Sequence, residues 1–393
     1  MSKSPPRILF LSRYAGFAGG IERYMHATAQ LLRSAGYELD CACQEQARDY
    51  DLFAAGFDNI LSLPEALQQQ DRYDLMAVHK IFDRPWLEKI LACRSRGLAL
   101  FVHDHEPYCP RRHYYIPFGR RNCRRNYSRV PCTACALLAS PRHWSHGPIG
   151  QFLELACEFP RRLELFRQFP AVVVLSDFMR GNLLRNGFAP EQVLKLPPFV
   201  RTGNCPRTAP APLHRPPQLL FVGQLVRGKG ADLLLQTLAR LDVDFQAVIA
   251  GDGFDRPKLE KLVAGLSLQQ KVRFAGWVRE TEELYASSDL LIMPSRWQEP
   301  FGLVGLEAAA QGLPIAAFDL GGCREYLQPG INGLLVPAGE VDELARQTSA
   351  LLRDPDRLLA YGQAGLKLAR EKFSPELFLN NFSRLCLSGR GAF

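Results

Sequence analysis

The feature that most restricts this chain is a repeated change of hydrophobic period. Short, wholly apolar runs at 8–11, 39–42, 75–78, 98–102 and 171–175 alternate with stretches of helical period such as 21–35 and 178–186. A strand that is apolar on both faces must be covered on both faces, and the intervening helices can do this. The pattern therefore prescribes βαβ units around a parallel sheet. A second series starts after residue 217, with strands expected at 219–222, 247–250, 272–274, 290–293 and 315–318. Its helices are expected at 231–241, 256–266, 302–311, 341–352 and 355–372, and a last one at 375–387 is a candidate to return to the first series. Between the two series lies TGNCPRTAPAPLHRPP, residues 202–217, whose prolines deny hydrogen bonds to helix and sheet. The expected division is 1–204, a linker at 205–217, 218–374, and a C-terminal helix in 375–393.

Length agrees with two domains, because 393 residues exceed what one core normally holds. A formal charge of +8 and a pI near 9.0 favour anionic partners such as nucleotides, phosphorylated sugars or an anionic membrane face, without choosing among them. The apolar run at 8–11 is too short for a signal-peptide core or a bilayer span, so a cytoplasmic protein is expected. Five of the eleven cysteines fall between Cys93 and Cys135, and a reducing compartment argues against reading them as disulfides.

Two stretches of the second series carry chemistry. In LLFVGQLVRGKG, residues 219–230, a buried strand ends at Gly223 and a glycine-bearing loop leads through Lys229 into a helix. Such a loop can offer backbone N–H groups and a helix N-terminus to a phosphate; it is also what any surface βα turn looks like. In SRWQEPFGLVGLEAAAQGL, residues 295–313, Glu299 precedes a helix and Glu307 lies two turns inside it. Two carboxylates so placed can grip two hydroxyl pairs, with the amides of Phe301, Gly302 and Leu303 facing an anion between them. The plainer alternative is one carboxylate favouring a helix N-terminus and one solvated on its surface.

Taken together, FVGQLVRGKG, AGDG at 250–253, FAGWV at 274–278, SSDLLIMPSRWQEPFGLVGLEAAAQGLPIAA at 287–317 and GGCREYLQPGINGLLVP at 321–337 resemble the GT-B retaining glycosyltransferases of family 4. The resemblance implies an α/β fold of two Rossmann-like domains facing each other across a cleft. It further implies a nucleotide-sugar donor, with Lys229 on its diphosphate, Glu307 on the ribose hydroxyls, Glu299 on the transferred sugar, and the amides of Phe301, Gly302 and Leu303 on sugar and phosphate. No metal is expected in catalysis, since the family uses basic side chains and helix ends instead. Where most members carry arginine after Gly223 this chain has Gln224, and Arg227 is the candidate to supply the missing charge.

In the first series, GFAGGIE at 16–22 opens a helix directly after a strand, and the resemblance gives Gly19 and Gly20 a role in approaching the donor phosphate and the acceptor. A tight βα turn needs the same glycines. Glu22 falls in the first helical turn, where a carboxylate is favourable without any function. His79 and His103 end two strands, where α/β folds place ligands. By resemblance His103 sits at the reacting sugar, Asp104 orients it or the acceptor, and Ser176 lies nearby or simply caps a helix.

The segment 105–147 is an insert. Within CPRRHYYIPFGRRNCRRNYSRVPCTAC, residues 109–135, the quartet Cys109, Cys123, Cys132 and Cys135 suits a structural zinc, with His105 and His113 as alternative ligands; free or redox-active thiols are the other reading. Arg111, Arg112, Arg120, Arg121, Arg124, Arg125 and Arg129 alternate there with Tyr114, Tyr115, Phe118 and Tyr127. That mixture points to a glycan or lipid-linked acceptor or to peripheral contact with an anionic membrane, then to a solvated face, and last to nucleic acid. A GT-B hydrolase or epimerase and a non-catalytic metal-binding regulatory protein are the rival readings. A dinucleotide-dependent dehydrogenase is disfavoured, since no G-x-G-x-x-G follows either first strand. If Arg227 replaces the absent arginine, Arg227→Ala weakens donor binding in a calorimetric titration, and an unchanged dissociation constant rejects the assignment.

Overall fold

The computed structural model describes residues 5–17, 19–93, 97–116, 121–139, 147–201 and 214–388. The chain divides into two compact units, one of residues 1–198 with 375–393 and the other of residues 199–374. The division falls six residues ahead of the expected linker, of which 205–213 lie outside the described residues.

In the first unit β1 (Arg7–Ala15), β2 (Glu38–Gln46), β3 (Asn59–Ser62), β4 (Leu75–Val78) and β5 (Leu98–Val102) form one parallel sheet with β8 (Ala171–Val174) and β9 (Val193–Lys195). Its order is β3-β2-β1-β4-β5-β8-β9. The short strands β6 (Tyr115–Ile116) and β7 (Arg121–Asn122) pair antiparallel inside the insert. β4 and β5 are buried at every position, as strands covered by helices on both faces must be.

The second unit repeats the plan with β10 (Gln218–Val222), β11 (Gln246–Ala250), β12 (Val272–Gly276), β13 (Leu290–Met293), β14 (Ile315–Phe318) and β15 (Gly333–Val336), ordered β12-β11-β10-β13-β14-β15 and parallel throughout. In each sheet the chain leaves its first strand to one side and later returns to the other, so the first strand borders a topological switch point. Loops at the carboxyl ends of the two strands flanking such a point diverge and leave room for a ligand. Those loops follow β1 and β4 in the first unit, and β10 and β13 in the second.

Helix Pro375–Ser388 belongs to the first unit. Phe382 is fully buried there and meets Tyr37 edge-on at 6.4 Å, while the Tyr37 hydroxyl lies 2.6 Å from Ser383 Oγ. No described helix is long and apolar enough to cross a membrane. Truncating Phe382 to alanine removes a buried ring that cannot be refilled, so a loss of about 3–5 kcal/mol is expected in urea unfolding of the first unit; a change below about 1 kcal/mol would show that this helix is not integral to it.

Candidate active-site residues in the two units

The second unit's residues are assembled by close backbone approach. A side chain at Gly230, whose φ is +74°, would lie 1.9 Å from the Pro294 carbonyl oxygen, and one at Gly228 would penetrate the Trp297 ring at 1.8 Å. The amides of Arg296 and Trp297 donate to the Gly228 carbonyl at 2.8 and 3.1 Å, locking the loop after β13 to the loop after β10. The consequence is a short contact between side chains seventy positions apart: Lys229 Nζ stands 2.7 Å from Glu299 Oε1, which also accepts from Ser295 Oγ at 2.9 Å. Both groups are mostly covered, with side-chain exposures of 30% and 14%.

Helix Leu303–Ala310 begins at Gly302, whose φ of +88° is open to glycine at little cost. Its first internal bond runs from the Gly305 amide to the Gly302 carbonyl, so the amides of Phe301, Gly302 and Leu303 lie ahead of the helical ladder. The Phe301 side chain is core, packed on Tyr326 and Phe373. Glu307 accepts from the Tyr285 hydroxyl at 2.8 Å, and burial together with the Glu307 charge pushes that phenol well above its ordinary value. Glu307 is thus oriented by a neutral donor.

The loop after β10 differs from expectation in one respect. The amides of Gly223, Leu225, Val226, Lys229 and Gly230 are all spent on protein carbonyls, the first two on Ala250 and Asp252 at and just past the end of β11 and the last two in and beside the 3-10 turn at Arg227–Lys229. Backbone donation to a phosphate is correspondingly reduced, and the Lys229 ammonium is the group the loop offers. Arg296 is engaged by both Asp232 oxygens and Arg324 by Asp319. The exposed Arg227 guanidinium has no partner among the described residues, whereas Gln224 is exposed and uncharged.

In the first unit the ends of β4 and β5 bring two imidazoles together. His79 Nδ1 lies 2.9 Å from His103 Nε2, with the rings stacked at 5.2 Å and Tyr24 edge-on to His103 at 5.0 Å. Burial drives His79 well below its ordinary value, and burial with the Lys80 charge takes His103 to about 3, so both rings are neutral. His79 Nε2 is buried without a partner. A stranded acceptor is tolerated better than a stranded N–H, which puts the His79 proton on Nδ1, donating to His103 Nε2. His103 then carries its own proton on Nδ1.

Asp104 does not contact His103. Its Oδ1 accepts from the Glu106 amide at 2.8 Å and so fixes the loop instead. Sequence reasoning missed Glu106 itself: it is buried and paired with Arg112 at 2.8 Å, and burial with the Asp104 charge raises its carboxyl to about 7. Glu22, read as a simple dipole partner, is 1% exposed with Oε1 unpartnered. Gly19 is extended, with its nearest would-be contact at 3.6 Å, and a side chain at Gly20 would meet nothing within 4 Å. Neither position needs glycine for the protein's own packing. Ser176 Oγ accepts from the Met179 amide at 3.2 Å, the capping role.

The insert corrects one expectation. Tyr114 and Tyr115 are core residues, and Tyr114 stacks on His105, whose Nδ1 lies 2.5 Å from the Tyr108 hydroxyl; the arginine–tyrosine alternation therefore splits into an outside and an inside. Phe118 and Arg120 lie outside the described residues, as does the Arg121 side chain. Among the described residues no three His, Cys, Asp or Glu side chains stand close enough to hold one metal ion. Cys132 and Cys135 sit within helix Arg129–Ala139, the first accepting from the Ser128 amide and the second near the Arg111 guanidinium, and Cys109 and Cys132 each feel the charge of Cys123.

Comparison with known proteins places this geometry. Residues 208–368 match the family described as glycosyl transferases group 1. The chain is 29% identical over 234 residues to a lipopolysaccharide core biosynthesis glycosyltransferase, LpsE, of Rhizobium meliloti, covering 59% of this chain and 68% of that one. It is 31% identical over 163 residues to an alpha-D-kanosaminyltransferase of Streptomyces kanamyceticus, covering 40% and 42%. The solved structure of Anabaena HepE in complex with UDP and glucose superposes with a TM-score of 0.72 at 19% identity, covering 98% of this chain and all of that one. The fold is GT-B. The match to the glycosyl transferases group 1 lies mostly in the second unit, and both named relatives are glycosyltransferases.

The titrating groups of the first unit set opposite pH dependences. His79 and His103, depressed from 6.5, contribute stability that is present above that value and lost as pH falls toward their folded values. Glu106, raised from 4.5 to about 7, contributes stability that is present below 4.5 and lost as pH climbs through about 7. Glu106→Gln is therefore expected to raise the urea midpoint relative to the parent at pH 8 and not at pH 4.5, and His79→Asn to flatten the decline below pH 6.5. Parallel curves for parent and variants would contradict both assignments.

Proposed function

We propose that the chain transfers a sugar, with retention, from a nucleotide-diphosphate donor to a glycan or lipid-linked acceptor in cell-surface polysaccharide or lipopolysaccharide synthesis. We favour a UDP-sugar, then a GDP-sugar, and a cytoplasmic protein working at the inner face of the membrane. The observation that carries the reading is the Lys229–Glu299 contact at 2.7 Å beside the start of helix Leu303–Ala310. It sets one cation and one carboxylate where a sugar-bearing diphosphate needs both. The part of LpsE in lipopolysaccharide core biosynthesis and the UDP bound to HepE support the acceptor class and the donor base respectively.

In this reading Lys229 and Arg227 neutralise the diphosphate, the amides of Phe301, Gly302 and Leu303 face its oxygens, Glu307 holds the ribose hydroxyls under Tyr285, and Glu299 accepts from sugar hydroxyls. His103 donates its Nδ1 proton to a hydroxyl of the transferred sugar, and the bare backbone at Gly19 and Gly20 leaves room for phosphate and acceptor. As the bond from the anomeric carbon to the phosphate oxygen breaks, the acceptor oxygen bonds to that carbon on the same face. The acceptor proton passes to the departing phosphate oxygen, so no separate protein base is required.

Nucleotide sugars screened by thermal shift should include one that stabilises the protein, by about 2.7 kcal/mol at a hundredfold its dissociation constant. His103→Ala and Glu299→Ala should each cut transfer by about a hundredfold or more while nucleotide affinity changes far less. Equal losses of binding and turnover would remove the assigned roles; release of free sugar with every acceptor tested would make the protein a hydrolase.

A further inference from the structure

Between Pro107 and Leu153 the sequence holds eight arginines and no lysine, aspartate or glutamate. The formal surplus of the whole chain is +8, so the rest of the protein is neutral and the entire excess sits in this segment. The same segment carries six of the eleven exposed large hydrophobic side chains among the described residues. They are not scattered. In helix Arg129–Ala139, Val130, Leu137 and Leu138 share one face with Ala134, at spacings of four, three and one, while Thr133 and Ala136 turn inward. In helix Gly147–Leu153, which packs against the first, Ile149, Phe152 and Leu153 repeat the arrangement at spacings of three and one. Val130 and Ile149 are each 78% exposed and Leu138 is 73% exposed.

Single exposed apolar residues need no explanation, but two adjoining helices that both present their apolar stripe to solvent do. Arg124, Arg125 and Arg129 are exposed at the near end of the first helix. The first acids beyond the segment are compensated, Glu154 by Arg162 and Glu158 by Arg161. An apolar stripe beside uncompensated guanidinium groups matches one environment, the boundary between acyl chains and anionic headgroups. Apolar side chains enter that boundary to a depth of about 5–10 Å while the cations stay among the phosphates.

We propose that helices Arg129–Ala139 and Gly147–Leu153 form a peripheral docking surface for an anionic phospholipid bilayer, with Val130, Leu137, Leu138, Ile149, Phe152 and Leu153 entering the interface and Arg124, Arg125 and Arg129 holding the headgroups. This surface shares no residue with the glycosyl-transfer machinery, and it stands whichever sugar is moved. Binding is read by flotation of the full chain with phosphatidylcholine vesicles with and without phosphatidylglycerol. The protein should float with the anionic vesicles, less so as salt rises, and weakly with the neutral ones. Arg124→Glu with Arg125→Glu should weaken anionic binding by at least about tenfold, and Leu138→Gln with Phe152→Gln should abolish it at any salt. Both variants change exposed positions, so their melting temperatures should match the parent; that match is the control for folding. Three results would overturn the proposal: no flotation, flotation indifferent to both variants, or sedimentation showing that the apolar face pairs two copies of the chain and leaves vesicles unbound.

Discussion

At Gly230 there is room for a hydrogen and nothing larger: the Pro294 carbonyl oxygen lies where a side chain would begin, 1.9 Å from the ideal position. This contact lets the loop after β13 lie directly on the loop after β10. Arg296 then bonds across to the Arg227 carbonyl, and Lys229 and Glu299 meet at 2.7 Å. Polar side chains on separate loops rarely hold such a distance unaided, because each long side chain must surrender rotamer freedom. Here the backbone has already fixed both, and the ion pair inherits the geometry. The same logic continues at Gly321, where a side chain would lie 2.1 Å from the Glu299 carbonyl oxygen, so the Glu299 backbone is fitted against the loop after β14 as well as turned toward the loop after β10.

Under the proposed function, an ion pair this covered has a consequence for the donor. Glu299 compensates Lys229, and a diphosphate drawn to Lys229 must share the ammonium with a carboxylate or displace it. A sugar hydroxyl donating to Glu299 eases that competition, because it gives the carboxylate a partner just as the phosphate takes the ammonium. The bare nucleotide diphosphate lacks this exchange. The two side chains are therefore coupled, and substituting either alters the charge the other presents. Among cations near these loops, Arg296 and Arg324 are already matched by Asp232 and Asp319, which is why the proposed function gives the charge missing at Gln224 to Arg227.

Most of the frame was legible from the chain because strands covered on both faces announce themselves as apolar runs, and because ligand loops of parallel sheets follow strand ends by rule. His79 and His103 were found that way, by position. Their shared hydrogen bond was not, since it depends on β4 and β5 being neighbours in register. Glu22 misled and Glu106 was missed for the same reason: a carboxylate in a first helical turn and one in a loop are ordinary locally, and only tertiary burial leaves one oxygen unpartnered or lifts a carboxyl to about 7. The insert shows the opposite failure. Its tyrosines looked like a surface partnered with arginine, yet Tyr114 and Tyr115 are core, and the exposed apolar stripe comes from Val130, Leu137 and Leu138, a helical spacing overshadowed by the cysteines beside it.

The electrostatics of the two units divide accordingly. In the second unit the proposed function rests on the cations Lys229 and Arg227. In the first, His103 is held near 3 by its surroundings and cannot serve as a cation; it can only hydrogen-bond. Within the proposed function, a neutral donor fits a sugar hydroxyl better than a phosphate, and it does not oppose the positive charge that develops on a sugar as its bond to a leaving group lengthens. Burying His79 behind His103 thus does more than orient a ring: it keeps both imidazoles in the neutral form that such a donor needs.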